Sequence, residues 1–255
     1  MLGQLIQLAT RFLPRPLMHR VAATIGRTIT LLYRGNRFED PIDGQRYRTL
    51  LPYGRTMRRS NALAPRSLSL ERHRLIWLYL SRQLHIGETP MRVLHMAPEW
   101  CLQNKLKAMA NVCYTSADLE SPWASVHCDI QCLPFDDNHF DLILCNHVLE
   151  HIPDDRKAMR ELFRVLRPQG IALLLVPQDR SREHTLEDPS INTPALREKF
   201  YHQRDHLRLY GLDYAQRLSN EGFTVETVDY FSQLPTSERT RYALRPDDLL
   251  YIGHK

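Results

Sequence analysis

The sequence predicts an α/β fold: a three-layer sandwich in which a mostly parallel sheet lies between helices. Three observations carry this. Short apolar runs recur at Val93–Met96, Val112–Tyr114, Val126–Cys128, Phe140–Cys145 and Ile171–Val176. Helical spacing falls between some of them, with Leu102, Leu106 and Met109 on one face and Ala158, Met159, Leu162, Phe163 and Leu166 on another. The run Ile171–Val176 is apolar without alternation, as a strand covered on both faces should be.

In chain order, residues 2–13 and 17–32 have amphipathic helical spacing, interrupted by Pro14 and Pro16. Their apolar stripes (Leu2, Leu5, Ile6 and Phe12, then Leu17, Val21, Ile25 and Ile29) suit packing on a domain or peripheral contact with a membrane. Arg11, Arg15 and Arg20 break the apolar content, which argues against a secretory signal. Residues 34–70 are rich in turn formers. Asp40-Pro41-Ile42-Asp43-Gly44 predicts a tight turn between Phe38 and Tyr47, Leu50–Gly54 is an extended piece that ends in a turn, and residues 56–69 read as a basic loop. A helix begins near Ser69, turns Leu75, Ile76, Leu78, Tyr79 and Leu80 inward, and ends before Gly87. Its first turn, Ser69–Arg74, reads as an exposed charged turn or a place to position an anion.

The core then predicts strands at 91–96, 112–117, 124–128 and 140–145, with helices at 100–110 and 154–166. Pro168-Gln169-Gly170 stops the second helix before the strand at 171–176. Residues 177–210 form a long polar crossover after a central strand, where a ligand-covering segment is expected. A helix at 211–221 stops at Gly222; strands at 223–230 and 249–253 give the sheet an antiparallel ending. The expected division is a basic extension, 1–88, and a ligand-binding domain, 89–255.

Composition narrows the function. The 255 residues are 43% hydrophobic, with no run long enough to span a membrane. The five cysteines, an odd number, all fall between residues 101 and 145, three of them in or beside strand-like runs. This pattern suits thiols in a reducing, cytoplasmic compartment better than a disulfide frame. Net charge is +5, but residues 1–90 hold fifteen arginines, no lysine and five acids, a local +10. Such a half is a solvated basic surface with no dedicated partner, or it attracts nucleic acid, anionic lipid or an acidic protein. No aromatic strip accompanies the arginines, so nucleic acid ranks lower.

Ligands of parallel sheets bind beyond the carboxyl ends of the strands. The loop after the first core strand, His95-Met96-Ala97-Pro98-Glu99-Trp100-Cys101, has no glycine, which argues against a dinucleotide. There is no phosphate-cradling lysine motif either. Asp118, at the end of the second strand, can accept from both hydroxyls of a ribose. Asp129-Ile130 and Leu133-Pro134-Phe135 offer an acid and apolar walls to an adenine. Either acid alone also suits a loop or helix cap.

Together these segments resemble the class I S-adenosylmethionine-dependent methyltransferases, in particular the ubiquinone/menaquinone type. The resemblance runs through residues 93–99, Ala117-Asp118-Leu119, residues 129–141, Asn146-His147-Val148-Leu149-Glu150-His151-Ile152 and residues 161–170. It covers about residues 90–255 and implies a Rossmann-like, seven-stranded sheet with S-adenosyl-L-methionine as cofactor. Carried over by position, the cofactor-binding residues are His95, Met96, Ala97, Glu99, Asp118, Leu119, Asp129, Ile130, Cys145 and Asn146. The family's loop reads roughly Asp-x-Gly-x-Gly-x-Gly, whereas His95, Ala97, Glu99 and Cys101 stand at those positions here. Losing every glycine implies either a backbone that avoids left-handed geometry or a cofactor that sits differently.

The front segment, 34–80, resembles a bacterial subgroup in which a zinc knuckle precedes a Ser-Leu-Glu-Arg-His-Arg helix. The paired cysteines would fall at Asp40, Asp43, Ala64 and Ser67, none of which is cysteine, so no metal is expected. The implied activity is methyl transfer to a small molecule, with an oxygen nucleophile as the working choice. His147, His202 and His206 are the candidate bases, and His151, Arg204 and Tyr210 the candidate acceptor contacts. RNA methylation through the basic segment and a non-catalytic partner role are the alternatives.

Overall fold

The computed structural model describes residues 30–54 and 58–255. The helices expected at 2–13 and 17–32 lie outside them, except that residues 30–33 are helical. No helix among the described residues is long and apolar enough to cross a membrane. The chain forms two compact units, and their division does not follow a single cut at residue 88. The first takes the chain up to Ile86 together with Glu99–Lys105 and Tyr230–Asp248. The second takes Gly87–Pro98, Leu106–Asp229 and Leu249–Lys255. The helix Trp100–Lys107, expected to belong wholly to the sheet domain, therefore gives most of its length to the first unit.

In the first unit, β1 (Arg34–Glu39) and β2 (Arg46–Tyr47) pair antiparallel around the predicted Asp40–Gly44 turn. Asp40 is fully buried and accepts from the Ile42 N–H at 3.0 Å, the Ser69 hydroxyl at 3.0 Å and the Ser67 hydroxyl. Phe38, Tyr47, Leu50 and Ala64 form the local core. β3 (Leu51–Tyr53) pairs with β4 (Arg59–Leu63), so the segment read as a basic loop contains a strand. Cross-strand pairing of Leu51 with Leu63 and Tyr53 with Arg59 supplies what periodicity did not signal.

The helix Glu71–Arg82 forms as predicted, but its first turn is not an exposed charged turn. Ser69, Glu71, His73 and Arg74 are all buried. Glu71 takes the Arg59 guanidinium at 2.9 Å. Arg74 spends its donors on the carbonyls of Tyr242, Ala62, Ser69 and Ala243, at 2.7–3.1 Å. Arg74→Lys keeps the charge but loses the planar fork that reaches these oxygens together. It should lower the stability of this unit by about 2 kcal/mol, read as a lower denaturant midpoint of the full chain.

Burial, and then the charge of Asp40, push the Asp43 carboxyl up to about 6. Its folded value thus lies above its unfolded one, so the ionised carboxylate opposes folding above about pH 6. That penalty fades as pH falls toward the unfolded value. Asp43→Asn keeps an acceptor for the Gln45 N–H, which bonds Asp43 at 2.9 Å. The variant should gain of order 1–2 kcal/mol near neutral pH and almost nothing near pH 4, measured by thermal denaturation at both.

The second unit is a seven-stranded Rossmann-like sheet in the order β10-β11-β9-β8-β5-β6-β7. These strands are β5 (Met91–Met96), β6 (Val112–Asp118), β7 (Val126–His127), β8 (Phe140–Asn146), β9 (Leu166–Leu175), β10 (Thr224–Val228) and β11 (Leu250–His254). β5, β6, β7, β8 and β9 run parallel, whereas β11 is antiparallel to both β9 and β10. Both faces are buried, through Leu94, Ile143 and Leu174 on one side and Val93, Leu142 and Leu173 on the other. The helix Asp155–Val165 seats Ala158, Met159, Leu162 and Val165 in the core, the three larger side chains contributing about 1.5–3 kcal/mol each. Its N-terminus is capped by Asp154, which accepts from the Lys157 N–H at 2.9 Å. β9 starts at Leu166, opposite Phe140, earlier than the predicted 171. The Pro168–Gly170 interruption survives as a register shift, with Gln169 at φ 65°.

Candidate functional site

Parallel pairing places the ends of β5, β6 and β8 at one edge of the sheet. β6 ends in Asp118, whose Oδ1 accepts from the N–H groups of Glu120 and Ser121 at 2.8 and 2.6 Å. Asp129 follows β7, and its Oδ1 accepts from the Gln131 N–H at 2.8 Å. Each acid therefore shapes its own turn, and each carboxylate has lone pairs left over. Leu119 is exposed, whereas Ile130 lies in the core.

His95 is fully buried, with Nδ1 2.9 Å from the Tyr114 hydroxyl. Met96 and Cys145 sit in the core cluster. Of the residues expected to hold the cofactor, His95, Met96, Cys145 and Ile130 therefore have buried side chains. Ala97 has φ 45° and donates its N–H to the Ala117 carbonyl at 2.8 Å. The glycine-free loop thus does enter left-handed geometry, at an alanine, contrary to the first of the two expected consequences. Glu99 belongs to the first unit, with its carboxylate 3.9 Å from His73 Nε2. At the end of β8, Asn146 is 4% exposed, and neither atom of its side-chain amide has a hydrogen-bond partner.

Just beyond, His147 has φ 55° and donates its N–H to the Leu175 carbonyl at 2.7 Å. A short 3-10 turn, Leu149–His151, then brings Glu150 inward to 1% exposure. Glu150 Oε1 lies 3.5 Å from His147 Nδ1 and 4.0 Å from Nε2 of both His151 and His206. The crossover is clamped here. Leu207 donates its N–H to the Glu150 carbonyl at 2.8 Å, and Arg208 reaches the carbonyls of Leu149, Ile152 and Pro153 at 2.6–3.0 Å. Burial lowers the His206 pKa below its ordinary value, against the opposing charge of Glu150.

The structure thus brings together three of the predicted residues, His147, His151 and His206. His202 is exposed at the end of the helix Pro194–Tyr201, and Arg204 is exposed and paired with Glu198 at 3.2 Å. Tyr210, expected as an acceptor contact, is fully buried and its hydroxyl donates to Asp155 Oδ2 at 2.7 Å. Sequence reasoning missed Glu150, Asp155 and Arg208. The His147-x-x-Glu150-His151 spacing was the available signal for the first; nothing local marked the other two. An open cleft of about 450 Å³, lined by Pro90, Met91, Asn111 and Val112 among others, lies where β5 and β6 begin, at the opposite edge.

A protein family described as "Methyltransferase domain" matches residues 101–174. The demethylmenaquinone methyltransferase of Staphylococcus epidermidis is 44% identical over 50 residues, 20% of this chain and 21% of that protein. The ubiquinone/menaquinone biosynthesis C-methyltransferase UbiE of Idiomarina loihiensis is 40% identical over 67 residues, 26% of this chain and 22% of that protein. The chain thus matches about a fifth of the length of these curated relatives. Among solved structures, the YcgJ protein of Bacillus subtilis has a TM-score of 0.44 at 17% identity, over 71% of this chain and 96% of that one. The 1,6-didemethyltoxoflavin-N1-methyltransferase of Burkholderia thailandensis, solved with S-adenosylhomocysteine, has a TM-score of 0.46 at 18% identity, over 71% of this chain and 76% of that one.

Proposed function

We propose that this chain, which carries a class I methyltransferase domain, transfers a methyl group from S-adenosylmethionine to a small-molecule acceptor with an oxygen nucleophile. The observation that carries the reading is the set of groups at one edge of the sheet: Asp118 after β6, Asp129 after β7, and the unpartnered amide of Asn146 after β8. A buried amide without a partner costs about 1–3 kcal/mol, so a ligand that satisfies it is favoured. The donor set fits the cofactor. Asp118 would hold the ribose hydroxyls, Asp129 the adenine amine, and Asn146 the region near the sulfonium, whose methyl is the electrophile. Ala97, held left-handed, turns the backbone aside after β5 as a glycine would.

For an oxygen acceptor, His147 is the side chain placed to take the proton. It follows β8 directly, is about one-third exposed, and has Glu150 beside its imidazole. Positioning an acceptor and excluding water supply most of the remaining catalysis. Relatives named for carbon methylation raise a second reading, in which the acceptor atom is carbon. The expected results are calorimetric binding of S-adenosylmethionine at micromolar concentration and label transfer from methyl-labelled cofactor to hydroxylated small molecules. Absence of cofactor binding would overturn the reading, and product labelled at carbon would move it to the second. Peripheral membrane contact through residues 1–29, and a cytoplasmic setting, remain part of the same proposal.

A further inference from the structure

We propose that Glu150, His151 and His206 form a binding site for a first-row transition dication, zinc foremost, at the carboxyl end of β8. One ligand atom from each residue lies within 4.8 Å of the others. Tetrahedral zinc, with bonds of about 2.0–2.1 Å, sets its ligands about 3.4 Å apart. The present 4.0 Å separations of Glu150 Oε1 from both Nε2 atoms close to that with small side-chain movement.

Hydrogen bonding on the far side of each ring orients the set. His206 Nδ1 is 3.1 Å from the Tyr201 carbonyl, and His151 Nδ1 is 3.3 Å from the Asp205 carbonyl. In the neutral imidazole each Nδ1 is then the donor, which leaves each Nε2 with its lone pair on the side of Glu150. A backbone carbonyl holding the outer nitrogen is the usual support of a metal-bound histidine. Glu150 is 1% exposed and neither of its oxygens receives a hydrogen bond; His206 is 2% exposed and its Nε2 has no partner. Two neutral imidazoles would set their lone pairs against a buried carboxylate, which is repulsive. A cation at their centre removes that cost. Two imidazoles and one carboxylate select zinc or a neighbouring transition ion over magnesium or calcium. His151 is 33% exposed and His147 30%, so a coordination position remains open to solvent or to a substrate atom.

The site goes beyond the methyl-transfer reading and is tested without cofactor, so the two stand or fall separately. The full chain, stripped with chelator, is titrated with Co²⁺ by visible absorption and with Zn²⁺ by calorimetry. One ion per chain is expected, without sulfur-to-cobalt charge-transfer bands, together with a higher melting temperature when zinc is added. Glu150→Gln and His206→Ala should weaken binding by more than the roughly 10–100-fold that removal of an outer partner costs. His151→Ala, at a partly exposed position, provides the same test should either buried variant fail to fold. His184→Ala, on the exposed crossover, should bind as the unaltered chain does. Full-strength binding in a folded His151→Ala or Glu150→Gln chain would overturn the site. So would sulfur bands, or no binding at micromolar ion.

Discussion

The doubly substituted Asp118→Asn/Asp129→Asn chain is expected to bind S-adenosylmethionine about 100- to 10,000-fold more weakly than the unaltered chain. Hydrogen bonds to a charged group contribute about 1.5–3 kcal/mol each, and the two losses add if the sites act independently. Asparagine is chosen because it keeps an oxygen for the turns: Asp118 holds the Glu120 and Ser121 N–H groups, and Asp129 holds that of Gln131. A chain with an unchanged melting temperature and lost affinity would tie the carboxylate charges to the ligand. Unchanged affinity in calorimetry would remove the adenosine assignment altogether.

Asp155→Ala should destabilise the sheet unit by about 3–5 kcal/mol, the usual cost of removing one partner from a buried ion pair. Asp155 is 1% exposed and takes the Arg217 guanidinium at 2.6 and 2.8 Å together with the Tyr210 hydroxyl. Arg208 lies 3.7 Å away, and Glu187 would be the carboxylate left to both arginines. Burial by itself would raise the Asp155 pKa, but the Arg217 hydrogen bond, the Arg208 charge and the Tyr210 hydroxyl outweigh it, and the pKa is lowered. Its stabilisation is therefore complete above the ordinary carboxylate range and is lost as pH falls through the folded value. The stability gap between the two chains should accordingly narrow in acid, as followed by urea unfolding across pH.

The sheet was legible because apolar runs of the right length are intrinsic to buried parallel strands, and β5, β6, β8, β10 and β11 fall close to where they were expected. The acids at the strand ends were legible for the same reason: a carboxylate closing an apolar run has few places to be. What the sequence hid is long-range. Ser69–Arg74 looks like a wet charged turn until Arg74 meets carbonyls 168 and 169 residues away. Tyr210 looks like a binding residue in a polar crossover until its hydroxyl finds Asp155, 55 residues back. The histidines of the candidate metal site were visible singly. Their convergence on Glu150 depends on the Arg208 clamp, which no local pattern announces.

The make-up of the first unit has a consequence for biosynthesis. Arg74 bonds to Tyr242 and Ala243, and Glu39 accepts from Arg241. These partners are made 168 to 202 residues after the side chains they meet, at about 5–20 residues per second. The first unit is therefore begun at once but completed only when Tyr230–Asp248 has been made, and the sheet unit only when Leu249–Lys255 has been made. Until residue 243 emerges, the Arg74 guanidinium and the inner face of the helix Glu71–Arg82 lack part of their final surroundings. A nascent chain stalled before residue 230 should accordingly leave both units open, the sheet lacking β11 between β10 and β9, and should be cleaved more readily than the full chain.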